Sequence, residues 1–446
     1  MKPLKLVLLI SAVLSPISPV FADDLSDLKS EIAQIRSDYE QRIQQLEQRL
    51  AKAESTNDDV QKDIAYVKET ARPTASPQNK NSFNPAISMV LNGQFNNYSN
   101  NVDNYSLNGF SLQQEAGLAT EGMSLGESEL TLSASVDQLL SAQATFALAD
   151  EDGTTSVGIE EAFIQTLGLG HGLTMRAGRF YSPIGYLNER HVHAWNFSDA
   201  PLIYRGLFGD QLATDGLKLS YLLPTDQMIE LGGTIGNGDS YPGSGTNSGI
   251  GDWLVYAKTG GDIGISHSWQ AGLSHWQSSP EGRNYGNGAS EVTFTGDTDI
   301  TNVSLIYKWA PNGNSTQQNF TLLGEYFYQN DDGSLNNTVT SASYDGKQYG
   351  GYVEGIYQFI PHWRTGLRYD RLGSSLTSAD NSLFTDAEMN LTGNDPQRYS
   401  LMLEWLPSEF SRVRAQINRD QSSNDDDTQF FLQYTVNLGA HGAHSY

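Results

Sequence analysis

Side chains that can bind ions or polar solutes are concentrated just after Tyr181. The surrounding segment, residues 173–216, begins with a strand-like pattern and then loses helical and strand periodicity until about residue 213. A long aperiodic stretch inside a compact domain usually carries function. We therefore predict that residues 183–213 form a functional loop. Its candidate binding residues are Glu189, Arg190, His191, His193, Trp195, Asp199, Tyr204, Arg205 and Asp210.

Two of these residues, His191 and His193, are separated by a single position. Paired imidazoles suit zinc or copper if the backbone presents both on one side, and Asp199 or Glu189 would then complete the ligand shell. The alternative is that both histidines are ordinary hydrogen-bonding residues of a loop. The same two interpretations apply to His441 and His444 near the C-terminus.

The N-terminal residues predict export from the cytoplasm. Lys2 and Lys5 precede a short apolar run, residues 6–14. Small or short side chains follow at a suitable cleavage site, Ala22. The run is far shorter than the ~20 residues that a transmembrane helix needs. We predict that residues 1–22 are a cleaved signal peptide.

The composition narrows the class of protein. The chain has no cysteine, 43 glycines and many aromatic residues, including 22 tyrosines. Its formal net charge of -25 argues against a nucleic-acid partner, because phosphate would be repelled. After the signal peptide no apolar run is long enough for a transmembrane helix. These properties are typical of outer-membrane β-barrels of Gram-negative bacteria, whose strands are apolar only at alternate residues.

The segment after the signal peptide has a helical pattern. Between Leu25 and Val67 apolar residues recur at steps of three and four, with Glu, Gln, Lys and Arg between them. Such a stripe predicts an oligomerising periplasmic coiled coil over residues 23–70. The alternative is a single helix lying on the mouth of a barrel. Residues 71–85, with Pro73, Pro77 and Pro85, read as a linker.

From Ala86 onward the apolar pattern has period two, which predicts an all-β transmembrane antiparallel barrel over residues 86–446. Short turns alternate with long polar loops, as in outer-membrane barrels. We count sixteen strands, with fourteen or eighteen as alternatives, and expect a water-filled lumen. The predicted strands are 86–97, 127–136, 141–149, 157–167, 173–182, 214–223, 227–237, 250–260, 267–277, 299–309, 319–329, 347–360, 362–372, 396–406, 410–420 and 427–438.

In this count residues 183–213 are the third long loop, after the fifth strand. Here the chain resembles the Gram-negative outer-membrane porins, which are trimeric and whose third loop folds into the barrel and constricts it. The segment AGRFYSPIGY resembles one found in phosphate-selective and related porins. The run GYLNERHVHAWNFSDAPLIYRGLFGDQ and the C-terminal LGAHGAHSY are similar to a porin-like group associated with zinc supply. The chain departs from the porin pattern at its end, where Tyr446 stands in place of the usual Phe.

The resemblance implies a constriction built from the loop. Its residues would be Glu189, Arg190, His191, His193, Asp199, Tyr204, Arg205 and Asp210. Strand alternation independently directs a second set of charges into the lumen, because an Arg facing lipid at mid-bilayer costs ~2–4 kcal/mol. These residues are Arg364, Arg368, Arg398, Glu404, Arg412 and Arg414. We expect a basic wall facing an acidic loop; the alternative is that the arginines merely pair with Glu404, Asp370 and Asp420.

The expected function is passive diffusion of small hydrophilic solutes or ions across the outer membrane. The alternatives are a substrate-specific channel, for zinc or a metal complex, and a structural tether between the outer membrane and peptidoglycan. No Ser–His or Asp–His pair stands out on adjacent strands, so we do not expect an enzyme. Ion selectivity is open, because the net charge favours cations and the arginines favour anions.

The expected partners are outer-membrane lipid, lipopolysaccharide and two further copies of the chain in a homotrimer. The coiled coil could also reach peptidoglycan. No cofactor is expected, although acidic runs in external loops could hold divalent cations against lipopolysaccharide. These runs are residues 150–152, 331–332 and 425–427.

Overall fold

The computed structural model describes residues 85–439, apart from residues 114–115, 152–153, 246, 248, 286–291 and 390. The predicted signal peptide, the coiled coil, nearly all of the linker and the C-terminal residues from 440 onward lie outside the described residues. Among the described residues, no helix is both long and apolar enough to cross a bilayer.

One antiparallel sheet of eighteen strands accounts for the described chain, and it closes on itself where β1 pairs with β18. The strands are β1 (Ala86–Tyr98), β2 (Gly122–Leu125), β3 (Ser128–Ser135), β4 (Leu140–Glu151), β5 (Thr154–Thr166), β6 (Leu173–Tyr181), β7 (Ala213–Leu222), β8 (Met228–Gly236), β9 (Asp252–Ile263), β10 (His267–Ser278), β11 (Glu281–Tyr285), β12 (Val292–Trp309), β13 (Asn319–Asn336), β14 (Ser341–Ile360), β15 (Trp363–Ser378), β16 (Gln397–Ser408), β17 (Ser411–Gln421) and β18 (Asp427–Gly439).

The eighteen strands occupy sixteen positions around the barrel. Strands β2 and β3 pair with successive parts of β1, and β10 and β11 pair with successive parts of β12. Each of the sixteen predicted strands matches one position, so the predicted barrel and strand count are confirmed. Strands β12, β13 and β14 extend six or seven residues further than predicted, into segments whose polar sequence resembles loop.

The two faces of the sheet differ as a membrane barrel requires. In β16 the side chains of Arg398 and Glu404 are buried, while the alternating Leu401 and Leu403 are exposed on the outside. Two aromatic pairs on neighbouring strands border this apolar band, Tyr369–Tyr399 near one end and Trp363–Trp405 near the other. An outward apolar band between aromatic girdles identifies a transmembrane antiparallel β-barrel.

The connections at the two ends of the barrel differ in length. At one end the turns are short, such as residues 264–266, 361–362 and 409–410. At the other end are long loops that include two helices, α1 (Leu202–Phe208) and α2 (Ser382–Asp386). Helix α1 lies inside the loop that we predicted to be aperiodic, so that prediction was wrong for these residues. Every residue of α1 is buried, and a helix buried all round leaves no amphipathic stripe in the sequence.

The lumen contains a packed core. The loop between β6 and β7, residues 182–212 and hereafter the inserted loop, lies against the loop between β1 and β2, residues 99–121 and hereafter the first loop. Leu107 and Phe110 of the first loop join Tyr204 of α1 and Phe327 of the wall in one buried apolar cluster. The expectation of a lumen filled with water is therefore wrong at this level, because two loops rather than one fold inward.

Candidate functional site

The inserted loop is fixed at its centre by Asp199. The carboxylate of this residue accepts hydrogen bonds from Arg368 and Arg398, each 2.7 Å away, and from Gln416 and Asn418 at 2.7 and 2.9 Å. These four donors belong to β15, β16 and β17. Burial alone would raise the pKa of Asp199, but the two guanidinium groups hold it well below its usual range. The side chain is therefore an ionised, buried anchor of the loop.

A second anchor extends from the wall into the loop. Glu325 of β13 accepts hydrogen bonds from the backbone N–H of Tyr186 at 2.5 Å and from the hydroxyl of Tyr204 at 2.9 Å. The hydroxyl of Tyr352, on the neighbouring β14, donates to the same carboxylate at 2.6 Å. A buried carboxylate thus joins the start of the inserted loop, helix α1 and two wall strands.

The third anchor lies on another part of the wall. Glu189 binds the ammonium groups of Lys218 on β7, at 2.7 Å, and Lys258 on β9. Burial would raise the pKa of Glu189, but the charges of Lys258 and Lys218 lower it to about 2. Since the Asp199 anchor lies on β15 to β17, the inserted loop crosses the lumen and is held by ion pairs on well-separated parts of the barrel wall.

The predicted basic wall is largely neutralised. Arg364 and Arg414 both bind Glu404, and Arg414 also donates to the backbone oxygen of Trp195 at 2.8 Å. Arg368 and Arg398 each bind Asp370 in addition to Asp199. Most of these arginines therefore belong to a buried network that positions the loop. Arg412 differs, because its Nη2 is buried without a hydrogen-bond partner.

The two histidines of the inserted loop meet carboxylates of β3 and β5. Nδ1 of His191 lies 3.1 Å from Glu160 and 3.2 Å from Glu129, and its Nε2 lies 3.1 Å from Glu161. Nδ1 of His193 lies 2.5 Å from Glu129. Burial lowers the pKa of His191, but hydrogen bonds to Glu160 and Glu161 raise it overall well above its ordinary value.

The expected partners of the two histidines differ from those found. Asp199 and Glu189 do not join His191 and His193, because they bind arginine and lysine groups elsewhere in the lumen. The carboxylates of β3 and β5 were not among the predicted site residues, and neither were Glu325, Lys218 and Lys258. The strand alternation that directed the arginines inward could have identified Glu129, Glu325, Lys218 and Lys258. It could not have identified both Glu160 and Glu161, which are consecutive in β5 at an irregularity of its pairing with β4.

The other predicted loop residues have mainly structural contacts. The guanidinium of Arg190 lies over the ring of Tyr186, 4.3 Å from its centroid, and Arg205 donates to the backbone oxygen of Gly117 in the first loop at 3.3 Å. Asp210 is half-buried, with its carboxylate 4.0 Å from Arg205. Of the acidic runs predicted in external loops, Asp331 is instead a buried residue of β13 that binds Arg283 at 2.8 Å, so it does not form an open cation site.

Cavities adjoin the inserted loop toward the short-turn end of the barrel. One of about 190 Å³ is lined in part by Arg190, Lys308 and Arg364. Another of about 200 Å³ is lined in part by His193, Arg364 and Arg412. Both cavities are bordered by Ala194 and Asn196 of the inserted loop. The charged side chains that line these two cavities are therefore mostly positive, with Glu409 as the acidic member.

Comparisons with known proteins identify one relative by sequence and several solved outer-membrane proteins. No family model matches the sequence. A protein of Aquifex aeolicus described as uncharacterized is 27% identical over 399 residues, covering 83% of this chain and 82% of that protein. Similar solved structures include the outer membrane channel DcaP of Acinetobacter baumannii, with 12% identity, a TM-score of 0.49 and coverage of 80% of this chain and 97% of that chain. An anion-selective porin from Comamonas acidovorans has 10% identity, a TM-score of 0.47 and coverage of 80% and 99%.

Proposed function

We propose that this chain is an outer-membrane channel through which small hydrophilic solutes or ions diffuse passively. The observation that supports this most is the inserted loop, which crosses the lumen of a transmembrane barrel and is held there by ion pairs from separate wall strands. A rigid segment inside a pore sets its width and the charges that a solute meets. In this proposal the short turns face the periplasm and the long loops face outward.

The lining of the cavities supports a preference for anions. Arg190, Lys308, Arg364 and Arg412 border the space on the short-turn side of the inserted loop, against one acidic lining residue, Glu409, in the same two cavities. Glu404 partly neutralises Arg364. Positive side chains at a constriction lower the barrier for anions. The formal charge of -25 belongs to the whole chain and does not describe this lining.

A second candidate is a substrate-specific channel. The specific observation in its favour is the apolar cluster of the two inward-folded loops, which includes Phe110, Tyr204 and Phe208 and narrows the lumen. A narrow passage would admit a restricted set of solutes, among which metal complexes are one class. Measuring whether a solute blocks ion current at low concentration separates this candidate from a general pore.

The test of the proposed function is ion conduction by the folded chain in a planar bilayer. We expect ohmic single-channel currents, with steps in groups of three if the proposed homotrimer forms. Whether the barrel is folded is checked on the same sample, because a folded barrel changes its electrophoretic mobility on heating. A folded barrel that conducts no ions and releases no small solute from liposomes would refute the proposal.

A further inference from the structure

We propose that Glu129, Glu160 and His191 form a binding site for a divalent transition-metal ion inside the barrel. One ligand atom from each residue lies within 4.8 Å of the others. Nδ1 of His191 is 3.1 Å from Oε2 of Glu160 and 3.2 Å from Oε2 of Glu129. In a tetrahedral site with metal–ligand distances of about 2.0 Å, neighbouring ligand atoms are about 3.3 Å apart. An ion could therefore enter with small movements of the side chains.

Buried oxygen atoms without partners point to a missing ligand. Glu129 is 1% exposed, and its Oε2 accepts no hydrogen bond, although it lies 3.2 Å from Nδ1 of His191. Oε1 of Glu127, a residue adjacent to Glu160 in space, is also buried without a hydrogen-bond partner. Carboxylate oxygens removed from water are normally hydrogen-bonded or bound to a cation. Both orphaned oxygens belong to residues at the proposed site.

The surroundings of His191 favour coordination through Nδ1. Its Nε2 lies 3.1 Å from Oε2 of Glu161 and can donate its proton to that carboxylate. Loss of the Nδ1 proton on metal binding would then leave a lone pair that faces Glu129 and Glu160. Histidine ligands of metals commonly donate their second nitrogen to a carboxylate in this way. His193 binds Oε1 of Glu129 at 2.5 Å and leaves Oε2 for the ion. Glu161 and His193 are therefore positioning residues.

The donor set selects the class of ion. Calcium and magnesium prefer shells made entirely of oxygen, whereas imidazole together with carboxylates suits zinc, manganese and iron. Glu127 or water would complete the shell. Because the ligands come from β3, β5 and the inserted loop, a bound ion would tie the loop to the wall. The site does not depend on the proposed channel function.

The experiment is a titration of the full chain, folded in detergent and freed of metal, with Zn²⁺ in competition with a chromophoric chelator. We expect one zinc ion per chain and no displacement by an excess of Ca²⁺. His191→Gln should weaken binding by at least about 100-fold, and Glu161→Gln by about 10- to 100-fold. The matched control is His275→Gln, because His275 faces a single carboxylate, Asp299, at 3.7 Å. This control should bind zinc as the wild type does.

A double variant tests the terminal histidines. If zinc binding is lost in the double variant His441→Gln and His444→Gln but kept in His191→Gln, the proposed site is wrong. Zinc K-edge absorption of the wild-type protein avoids any question of variant folding. We expect one imidazole nitrogen and at least two carboxylate oxygens around the ion. A spectrum with no imidazole, or a wild type that binds no zinc, would also overturn the proposal.

Discussion

At the scale of single residues, Asp199 of the inserted loop accepts hydrogen bonds from four side chains of the barrel wall. Two arginines, Gln416 and Asn418 donate to its carboxylate, and it is fully enclosed by them. Removing one member of a buried ion pair costs about 3–5 kcal/mol, because the remaining charge is left without compensation. The position of the loop should therefore depend strongly on this carboxylate.

We expect Asp199→Asn to release the centre of the inserted loop. Unfolding of the barrel should become easier by on the order of 3 kcal/mol, and open-channel current should become noisier. The matched control is Asp215→Asn, since Asp215 binds Arg179 at 3.3 Å and both side chains are 40% exposed. That pair should contribute less than about 1 kcal/mol. Equal effects of the two substitutions on unfolding and current noise would contradict the assigned anchor.

The lowered pKa of Asp199 has a consequence for acid conditions. A carboxylate whose folded pKa is depressed stabilises the fold above its ordinary pKa, and this contribution is lost only as pH falls through the lowered value. We expect that acidification of the wild type to about pH 3, below the ordinary Asp pKa of about 3.9, will not produce the noise that Asp199→Asn produces at neutral pH. Recordings of both proteins at the two pH values provide the check, and the same noise in acidified wild type would count against this anchor.

The sequence predicted the orientation of residues better than their partners. Alternation in β15 to β17 placed Arg368, Arg398 and Arg414 in the lumen, and the structure buries all three there. The same reasoning could not reveal that Asp199 binds the first two, because 169 and 199 positions separate the partners. The partners of His191 were missed for a related reason, since the strand pattern does not show that the loop folds back onto Glu129 and Glu160 of β3 and β5.

At the scale of elements, helix α1 depends on a close contact with the first loop. A Cβ added to Gly206 would lie 2.8 Å from a ring carbon of Phe110 and 3.1 Å from a methyl carbon of Leu107. In an unhindered helix, alanine in place of glycine stabilises by about 1 kcal/mol. Destabilisation by Gly206→Ala would therefore indicate that the two loops are packed together, and stabilisation would indicate that they are not.

We expect Gly206→Ala to destabilise the barrel by about 1–3 kcal/mol, because the first loop must move away. Gly158→Ala is the matched control, since nothing lies within 4 Å of a Cβ at that position. Chemical unfolding in lipid vesicles measures both variants, and limited proteolysis reports exposure of the first loop. Stabilisation by Gly206→Ala would show that the loops are not packed as described.

The outward face of the strands makes a separate prediction. Leu401 is 49% exposed between the aromatic pairs, whereas Leu438 lies at the end of β18 near the short turns. We expect Leu401→Arg to cost about 2–4 kcal/mol of folding free energy in vesicles and Leu438→Arg about 0–1 kcal/mol. Folding titrations in denaturant measure both. Similar costs at the two positions would contradict the placement of the apolar band.

Regular elements were predictable and irregular ones were not. The period-two pattern specified all sixteen barrel positions because one face of each strand must be apolar. Helix α1 was missed because it is buried on every side. The short strand β2 was missed because only its pairing with β1 makes it a strand. The division of the second and ninth positions into two strands each depends on pairing, which no local pattern encodes.

At the scale of the whole molecule, the cavity lining predicts the sign of ion selectivity. In a potassium chloride gradient we expect a reversal potential that indicates preference for chloride. Lys308→Gln should reduce this preference by roughly half, because a positive charge leaves the lining. Lys347→Gln is the control, since the side chain of Lys347 is 45% exposed and binds Asp345 at 3.4 Å. Unchanged selectivity in the Lys308 variant would exclude this lining as the selective element.

The architecture of the molecule was predictable to the level of its third long loop. Turn lengths and strand count located that loop after the fifth barrel position, and the structure finds it folded into the lumen. The first loop was not predicted to accompany it, because its burial depends on the apolar contacts of Leu107 and Phe110 with α1. Filling of the lumen is a property of the assembled barrel.

In the proposed channel, ions pass beside the inserted loop. The chain has no cysteine, so Ala194→Cys introduces a single thiol at the border of both cavities. Val339→Cys, at a position that is 90% exposed, is the control. We expect a negatively charged methanethiosulfonate to reduce single-channel conductance of the Ala194 variant by about half or more and to leave the control unchanged. Unaltered conductance after complete modification of Cys at position 194 would show that ions do not pass beside the inserted loop.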